Sequence, residues 1–357
     1  MGDIVARLRD LPRLRLAHLP TPLEPMARLG EVLGLKSLWV KRDDCTGLGF
    51  GGNKVRKLEF SLAAAKTTGA DCVICGGVVQ SNTARQVASA CAKLGIECHL
   101  GIMHGRLRST EPGYAATGNI LLGRLYGATV HDVPWDEDRN RGLRDLAAEL
   151  TQKGRRAFLI PYGASDALGA MGYAVAAEEI IHQCPDAAWI VHGSGSAGTQ
   201  AGLLAGLLAL GHRARVIGVD VDAQSDRVAS DVRHIAHEAA TMLGVGERWQ
   251  NALAEVAGDW SGPSYGEPDA STEEAICLAA RLEGLALDPV YSGKSMAGLI
   301  GLARRGRFRD DEPVVWVHTG GSPGIFAYPV TMARAAASNA RDNVRPRPSP
   351  TSTASSR

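Results

Sequence analysis

Residues 187–211 read AAWIVHGSGSAGTQAGLLAGLLALG, and they are the most informative part of the chain about its fold class. A short apolar run leads into a glycine-rich loop, and the loop leads into a second apolar run of helical length. A buried strand, a tight loop and a helix are the parts of an α/β unit. Gly193, Gly195 and Gly198 have the spacing G-x-G-x-x-G, which is typical of loops that hold phosphate at a helix N-terminus. The stretch therefore predicts a parallel α/β sheet with an anion site at the end of one strand.

The same alternation extends on both sides of this stretch. Apolar runs of strand length alternate with helical stretches before it, as in DCVICGG, IECHLGI, TVHDV and RAFLIP, and after it, as in ARVIGVDV and PVVWVHTGG. This pattern is typical of α/β folds with mostly parallel sheets. Because 357 residues exceed the size of one small core, we expect two domains with a cleft between them.

Composition and charge indicate an ordinary globular enzyme. Apolar residues make up 45% of the chain, charged residues 22%, and the formal net charge is +1, so nothing favours nucleic acid or an anionic membrane as a partner. The longest apolar runs fall short of the roughly 20 residues that span a bilayer, and the N-terminal residues lack the apolar core of a signal peptide. We expect a cytoplasmic protein that binds a small molecule.

The seven cysteines do not suggest disulfides, because their number is odd and they are scattered through apolar segments. Cys72 and Cys75 form a C-x-x-C, but no second pair follows at zinc spacing, and we interpret DCVICGG as a buried strand. The ten histidines form no H-E-x-x-H or similar ligand cluster. We therefore expect a reducing compartment and no metal site.

The glycine loop has two interpretations. A dinucleotide is the first, since Asp220 ends the next apolar run, about 20 residues on, where a ribose-binding carboxylate is expected. However, the hydroxyls of Ser194, Ser196 and Thr199 accompany the glycine amides, and many donors around one compact dianion suit a phosphate monoester. We favour the monoester, and we interpret Asp220 as a structural residue at the end of a strand.

A second stretch, KRDDCTGLGFGGNKVRKLEFSLAAAKTTGA at residues 41–70, places Lys54 at the start of a helix after four glycines. Most lysines in such a position are solvated surface groups. A cation at the positive end of a helix dipole, however, has a lowered pKa, and a lysine with a lowered pKa can form a Schiff base. Position alone leaves both interpretations open.

Five motifs in one order identify a family. They are GGNKVRKLEF, GGVVQSNTARQ, GSGSAGTQAG, LEGLALDPVYSGKSMAGLI and HTGGSPGIFAY. In this order and spacing they resemble the fold type II pyridoxal-phosphate enzymes of the D-cysteine desulfhydrase and 1-aminocyclopropane-1-carboxylate deaminase family. The resemblance runs from about Leu19 to Tyr328, which is nearly the whole chain.

The resemblance implies pyridoxal 5'-phosphate as the cofactor and a homodimer as the assembly. It implies a fold like that of the tryptophan synthase β subunit, with two open, twisted, mostly parallel sheets and a small domain inserted in a larger one. We expect a large cofactor-binding domain at 1–48 and 164–340 and a small α/β domain at 49–163. Residues 341–357 are rich in Ser, Pro and Arg, and we expect them to form a disordered tail.

The resemblance also implies roles for individual residues. Lys54 would carry the cofactor and then serve as the base at Cα, while Tyr265 and Tyr291 would assist the leaving group. Ser81 would act in catalysis and, with Asn82 and Thr83, bind the substrate carboxylate, although either of the first two residues could simply cap a helix. The remaining implied cofactor contacts are Lys57, Asn82, Ser196, Ala197, Gly198, Thr199, Ser292 and Thr319.

Three positions bear on the reaction. Ser292 and Thr319 are hydroxyl residues, as in the family's desulfhydrases, whereas its cyclopropane-opening deaminases carry Glu and Leu there. A neutral hydroxyl partner makes the cofactor a weaker electron sink, which suits loss of a thiolate from Cβ better than opening of a C–C bond. Thr83 departs from the family pattern, in which desulfhydrases usually have His and deaminases Gln. We favour β-elimination from D-cysteine to pyruvate, hydrogen sulfide and ammonia.

Several alternatives stay open. An L-cysteate sulfo-lyase could use Thr83 and the stretch His104-Gly105-Arg106-Leu107-Arg108 for a sulfonate, although we favour a solvated loop for that stretch. Further alternatives within the family are a 1-aminocyclopropane-1-carboxylate deaminase, a racemase and a specialised biosynthetic C–S lyase. From other classes come an NAD oxidoreductase, which would not depend on Lys54, and a binding protein without turnover.

Overall fold

Strands and helices alternate along the chain, and the strands form two separate sheets. The computed structural model describes residues 7–8, 10–107 and 109–337, so the expected tail at 341–357 lies outside the described residues. The strands are β1 (Leu23–Pro25), β2 (Leu38–Lys41), β3 (Cys72–Val78), β4 (Glu97–His104), β5 (Thr129–Pro134), β6 (Ala157–Leu159), β7 (Trp189–Ser194), β8 (Arg215–Asp220), β9 (Glu255–Ala257) and β10 (Val314–Val317). The helices are α1 (Ala27–Leu33), α2 (Asn53–Thr67), α3 (Asn82–Leu94), α4 (Gly118–Leu125), α5 (Arg141–Gln152), α6 (Ala167–Gln183), α7 (Gly198–Leu210), α8 (Ser225–Met242), α9 (Ala270–Glu283), α10 (Ser292–Arg304) and α11 (Pro329–Ala337).

The larger sheet has six strands in the order β1-β2-β10-β7-β8-β9, and the smaller has four in the order β5-β4-β3-β6. Every pairing between these strands is parallel except that of β1 with β2. The smaller sheet is built entirely from chain that lies between β2 and β7. The prediction of two mostly parallel sheets is confirmed, while the domain boundaries at 48/49 and 163/164 stay a prediction.

Helices cover both faces of the six-stranded sheet, which explains its continuous apolar strands. In β7, Ile190 packs into a cluster with residues of α6, α7 and α8, whereas its neighbour Val191 packs into a cluster with residues of α9 and α10. Successive strand residues point to opposite faces, so both must be apolar. The glycine loop after β7 is therefore held by a strand with a rigid, two-sided core.

The C-x-x-C motif lies in the smaller sheet, within β3. Cys75 packs against residues of α2 and α3, and Cys72 packs on the other face against residues of α5. Residues three apart in a strand point to opposite faces. The two thiols therefore cannot share one metal ion, and the prediction of a buried strand is confirmed.

Neither a membrane-spanning helix nor a metal-binding cluster occurs within the described ranges. None of the helices there is long and apolar enough to cross a bilayer. Groups of three or more His, Cys, Asp or Glu side chains arranged as metal ligands are likewise absent from that part of the chain.

A buried ion network ties α2 to the larger sheet. Asp43 is fully buried and accepts hydrogen bonds from Arg56 at 2.8 and 2.9 Å. The other edge of the Arg56 guanidinium donates to Glu179 of α6 at 2.8 and 2.9 Å, and Lys41 at the end of β2 donates to Glu179 at 3.1 Å. Arg56 lies only two residues after Lys54, so the network fixes the helix turn that carries both.

Candidate active site

The start of α2 is built for close approach of the backbone. Gly52 precedes the helix with φ at +120°, and a Cβ atom there would lie 2.7 Å from the Gln86 side chain and 3.2 Å from the Thr319 carbonyl oxygen. Only glycine adopts this conformation in this space. The Asn53 N–H donates to the same Thr319 oxygen at 3.0 Å. The first turn of α2 is thus fixed against the segment that follows β10.

Lys54, on the first turn of α2, points into a cavity between the two sheets. Its Nζ lies 3.4 Å from the Ser196 Oγ, and burial lowers the pKa of Lys54 to about 8. More of this amine is therefore uncharged near neutral pH than in an ordinary lysine, and the uncharged form is the one that reacts with an aldehyde. The interpretation of Lys54 as a solvated surface group is wrong.

Lys57 lies one turn further along α2 and is completely buried. Its Nζ donates to the Gly163 carbonyl at 3.3 Å and to the Ser165 Oγ at 3.2 Å. Burial lowers the pKa of Lys57 well below its usual range, and the neighbouring charge of Lys54 lowers it further. Within the described chain neither amine forms an ion pair with a carboxylate, so an anion bound beside them would stabilise both.

The loop between β7 and α7 presents donors to the same place. The Ser194 Oγ is buried and has no hydrogen-bond partner among the residues that the structure describes. Ala197 has φ at +68°, a left-handed conformation that is unusual for a residue with a side chain and often marks ligand sites. A Cβ atom on Gly198 would lie 2.8 Å from the Lys57 Nζ and 2.7 Å from the Ser165 Oγ. Hydroxyls, amides and an amine at a helix N-terminus fit a phosphate monoester.

Asp220 takes no part in this cavity. Its carboxylate accepts the N–H groups of Asp222 at 2.7 Å and Gln224 at 2.8 Å, and the Ser225 hydroxyl at 2.8 Å. These bonds shape the turn from β8 into α8. The prediction that Asp220 is a structural residue at the end of a strand is confirmed.

The N-terminus of α3 forms a second wall of the cavity. The Ser81 Oγ caps the helix by accepting the Ala84 N–H at 3.2 Å, so the capping prediction is confirmed for this residue. Ser81, Asn82 and Thr83 all line the cavity. A helix N-terminus offers free N–H groups and a favourable dipole to a carboxylate. The geometry therefore suits the carboxylate of an amino acid.

Two adjacent tyrosines line the cavity. The hydroxyls of Tyr265 and Tyr291 are hydrogen-bonded, and the ring centroids are 5.9 Å apart in an edge-to-face arrangement. Burial raises the pKa of both phenols well above the usual value. The pair is therefore protonated at neutral pH and can donate a proton, but it cannot act as a base.

Ser292 and Thr319 occupy different places. Thr319 lines the cavity, whereas Ser292 is completely buried behind the wall. The Ser292 Oγ donates to the Asp288 carboxylate at 2.6 Å and accepts the Asp288 N–H at 2.8 Å. The hydroxyl of Ser292, the first residue of α10, is therefore hydrogen-bonded to Asp288, four residues before it.

Most of the predicted residues meet at this one cavity. Lys57, Gly198 and Ser292 stand just behind its wall. The predicted residues that line it are Lys54, Ser81, Asn82, Thr83, Ser196, Ala197, Thr199, Tyr265, Tyr291 and Thr319.

The sequence did not reveal a charged cluster at the cavity rim. Asp222, which follows β8, accepts a hydrogen bond from Arg106 at 2.6 Å with one carboxylate oxygen and from Arg139 with the other. The Arg106 guanidinium stacks 4.4 Å from the centre of the Trp135 ring and 5.2 Å from that of Tyr265. Arg106, Arg139 and Asp222 come from three distant stretches, and none of the three lies in one of the five family motifs.

The cluster corrects one expectation about residues 104–108. The Arg106 side chain is only 10% exposed, so a solvated loop is the wrong description of this residue. Burial beneath two aromatic rings and the pairing with Asp222 are the physical reasons. Arg108 lies outside the described residues.

Comparisons with known proteins agree with this geometry. Residues 14–320 match the family described as pyridoxal-phosphate dependent enzyme. A D-cysteine desulfhydrase of Yersinia enterocolitica serotype O:8 / biotype 1B (strain NCTC 13174 / 8081) is 41% identical over 90% of this chain and 97% of its own length. A D-cysteine desulfhydrase of Salmonella typhi is 40% identical, with the same two coverages.

Solved structures give the same picture. The crystal structure of an ACC deaminase homologue superposes with a TM-score of 0.85 at 33% identity, covering 94% of this chain and 99% of that one. The processed form of threonine deaminase isoform 2 from Solanum lycopersicum superposes with a TM-score of 0.66 over 94% of this chain and 93% of its own. At 18% identity the latter shows the fold alone.

Proposed function

Because the chain belongs to the pyridoxal-phosphate dependent enzymes, we propose that it is a lyase that converts D-cysteine to pyruvate, hydrogen sulfide and ammonia. The observation that carries the proposal is a single cavity that combines the Lys54 amine, the N-terminus of α3 and the protonated pair of Tyr265 and Tyr291. A base, a carboxylate site and a proton donor are the groups that β-elimination requires. The relatives at about 40% identity support D-cysteine as the substrate.

The donor set suits the cofactor of this family. Lys54 would hold pyridoxal 5'-phosphate covalently through its amine, Lys57 and the loop at 194–199 would hold the phosphate, and Asn82 would face the ring. When bound, the cofactor withdraws electrons from the bonds at the Cα atom of the amino acid.

The chain's own groups carry out the other steps. Ser81 and the free N–H groups of α3 bind the substrate carboxylate. The Lys54 amine would take the Cα proton, and the tyrosine pair would deliver a proton to the sulfur as the Cβ–S bond breaks. Water then replaces the amino group, so that D-cysteine and water balance pyruvate, hydrogen sulfide and ammonia.

The direct test is a substrate panel. The purified protein should show a visible absorbance band that borohydride removes, and it should release 2-oxo acid faster from D-cysteine than from L-cysteine, L-cysteate, D-serine or 1-aminocyclopropane-1-carboxylate. A colourless protein that binds no pyridoxal 5'-phosphate would overturn the proposal. A faster reaction with another member of the panel would replace D-cysteine as the substrate.

Removal of one phenol tests the proton donor. Tyr291→Phe should lower kcat with D-cysteine by about 10²-fold, the scale of a lost general acid, while the visible absorbance of the bound cofactor stays. Steady-state kinetics and an absorbance spectrum of the same sample measure both effects. Tyr126→Phe, outside the cavity, serves as the control. An unchanged kcat in Tyr291→Phe would remove this tyrosine from the mechanism.

Asp222 supplies a reason to prefer an uncharged leaving group over a sulfonate. Its carboxylate occupies both Arg106 and Arg139, and it places a negative charge at the cavity wall. An anionic side chain on the substrate would therefore meet arginines whose charge the Asp222 carboxylate already offsets in part, so the cluster stabilises such an anion less than free arginines would.

Neutralising this carboxylate should shift the specificity. In Asp222→Asn the ratio of kcat/KM for L-cysteate to that for D-cysteine should rise by about tenfold or more, because two arginines lose their counter-ion. Parallel assays with both substrates give the ratio, and Asp226→Asn at an exposed position of α8 is the control. A ratio that stays at the wild-type value would show that the cluster does not sense the leaving group.

We also propose that the protein is a cytoplasmic homodimer. Apolar side chains are exposed on α4 and in the turn before α11, among them Leu125 at 73% and Phe326 at 74% exposure. Such side chains are typical of a surface that a second copy of the chain covers. All seven cysteines are free thiols, which suits a reducing compartment. Sedimentation analysis of the wild-type protein and of a Leu125→Lys variant tests the assembly.

A further inference from the structure

Arg85 is a buried cation close to the active site. Its side chain is completely buried on the first turn of α3, and its guanidinium donates to the carbonyl oxygens of Gly49 and Gly51 and to the Asn82 Oδ1, the last two at 3.1 and 3.2 Å. No carboxylate within the described part of the chain lies at ion-pair distance from it. Burial lowers the pKa of Arg85 only to about 10, so it keeps its charge at neutral pH.

These contacts fix the orientation of the Asn82 amide. A guanidinium has donors and no acceptor, so the Asn82 atom that faces it must be the carbonyl oxygen. The Asn119 amide N–H₂ donates to the same oxygen at 3.0 Å. With the oxygen engaged twice, the amide N–H₂ group of Asn82 is left to the cavity that this residue lines.

The charges around the cavity make that donor selective. Lys54 and Lys57 lie on the α2 side of the cavity and Arg85 lies behind Asn82. The negative charges that act on these cations are Asp166, near Lys57, and Asp288, near Arg85, and neither forms an ion pair with them within the described residues. Polarisation by a cation strengthens the hydrogen bonds of the amide it contacts. An oxygen that carries negative charge is the acceptor that this environment favours.

We propose that Arg85 is a positioning residue that turns the Asn82 amide into a donor for an anionic oxygen in the cavity and supplies the positive charge behind it. Two oxygens have this chemistry, the ring oxygen of the cofactor and the carboxylate of the substrate. The proposal rests on pyridoxal-phosphate dependence and holds for any amino-acid substrate, so a negative result in the D-cysteine assay leaves it standing.

The first experiment removes the charge. Arg85→Met in the cofactor-loaded enzyme should weaken pyridoxal 5'-phosphate binding by roughly tenfold, about the effect of one charge-assisted hydrogen bond, and change the visible band before any substrate is added. That result assigns the ring oxygen. A normal band with KM raised by roughly tenfold and kcat unchanged would assign the substrate carboxylate. Arg309→Met, at an exposed arginine, is the matched control.

The second experiment separates positioning from folding. Asn82→Asp keeps an acceptor for Arg85 but removes the donor to the cavity. It should therefore fold like the wild type and show the same change as Arg85→Met, either in the visible band or in KM. The double variant Asn82→Ala/Arg85→Met should change that readout no further than Asn82→Ala alone, and Arg85→Lys should restore part of it. Additive effects in the double variant would overturn the proposal. So would a normal visible band together with a normal KM, either in Asn82→Asp or in an Arg85→Met variant that is shown to be folded.

Discussion

Lys54→Ala should abolish turnover, with an expected fall in kcat of at least about 10³-fold, because in the proposed function one side chain both carries the cofactor and moves the Cα proton. The structure is consistent with both tasks, since Lys54 lines the cavity, its Nζ lies 3.4 Å from the Ser196 Oγ in the loop between β7 and α7, and burial lowers its pKa to about 8. The assay is release of 2-oxo acid from D-cysteine. Mass spectrometry after borohydride treatment shows whether any lysine still carries the cofactor.

Lys66→Ala is the matched control for this variant. Lys66 lies near the C-terminal end of the same helix, but its side chain is exposed. It should retain wild-type turnover and the borohydride-fixed cofactor on the peptide that contains Lys54. Substantial turnover by Lys54→Ala, or fixation of the cofactor on a different lysine in the wild type, would contradict the assigned role.

Arg56→Met is expected to lower the free energy of unfolding by about 3–5 kcal/mol, the cost of breaking a buried ion pair from one side. The variant leaves the carboxylates of Asp43 and Glu179 buried with Lys41 as the remaining cation. Urea unfolding at neutral pH measures the loss. Arg144→Met, at an exposed ion pair with Asp138, should change the stability much less, and an equal loss in the two variants would show that the buried network contributes little.

The same network predicts a pH dependence. Burial raises the pKa of Asp43, but the charge and hydrogen bonds of Arg56 outweigh burial and hold that pKa below its ordinary value. A carboxyl group with a depressed pKa in the folded state contributes stability above its unfolded pKa and loses it as the pH falls through the folded pKa. The wild type should therefore lose stability in acid, and Arg56→Met should lose less over the same range.

Local patterns predicted much of this molecule. The run around β7 gives the α/β class because strand, loop and helix are consecutive, and the comparisons confirm both the fold type and the dependence on pyridoxal phosphate. Lys54 and Tyr291 were found because each lies inside a contiguous motif. Their roles in catalysis stay predictions until the variants are assayed.

The charged partners could not be predicted in this way. Asp222 meets Arg139 across 83 positions and Arg106 across 116, and Arg56 meets Glu179 across 123. Hydrophobic periodicity describes neighbours along one element, whereas these pairs depend on how separate elements pack. Arg85 lies within a quoted motif, yet its backbone acceptors Gly51 and Gly49, just before α2, are 34 and 36 positions away.

Helix α2 presents Lys54 to the cavity, while the neighbouring Arg56 holds the same turn to α6. The position of Lys54 and the stability of the fold therefore depend on one rigid turn. A substitution in this turn that alters the chemistry is expected to lower the stability as well. When the enzyme is evolved in the laboratory toward new substrates, substitutions should accordingly accumulate on the other walls of the cavity, at Thr83 and Asp222. The first two turns of α2 should stay unchanged.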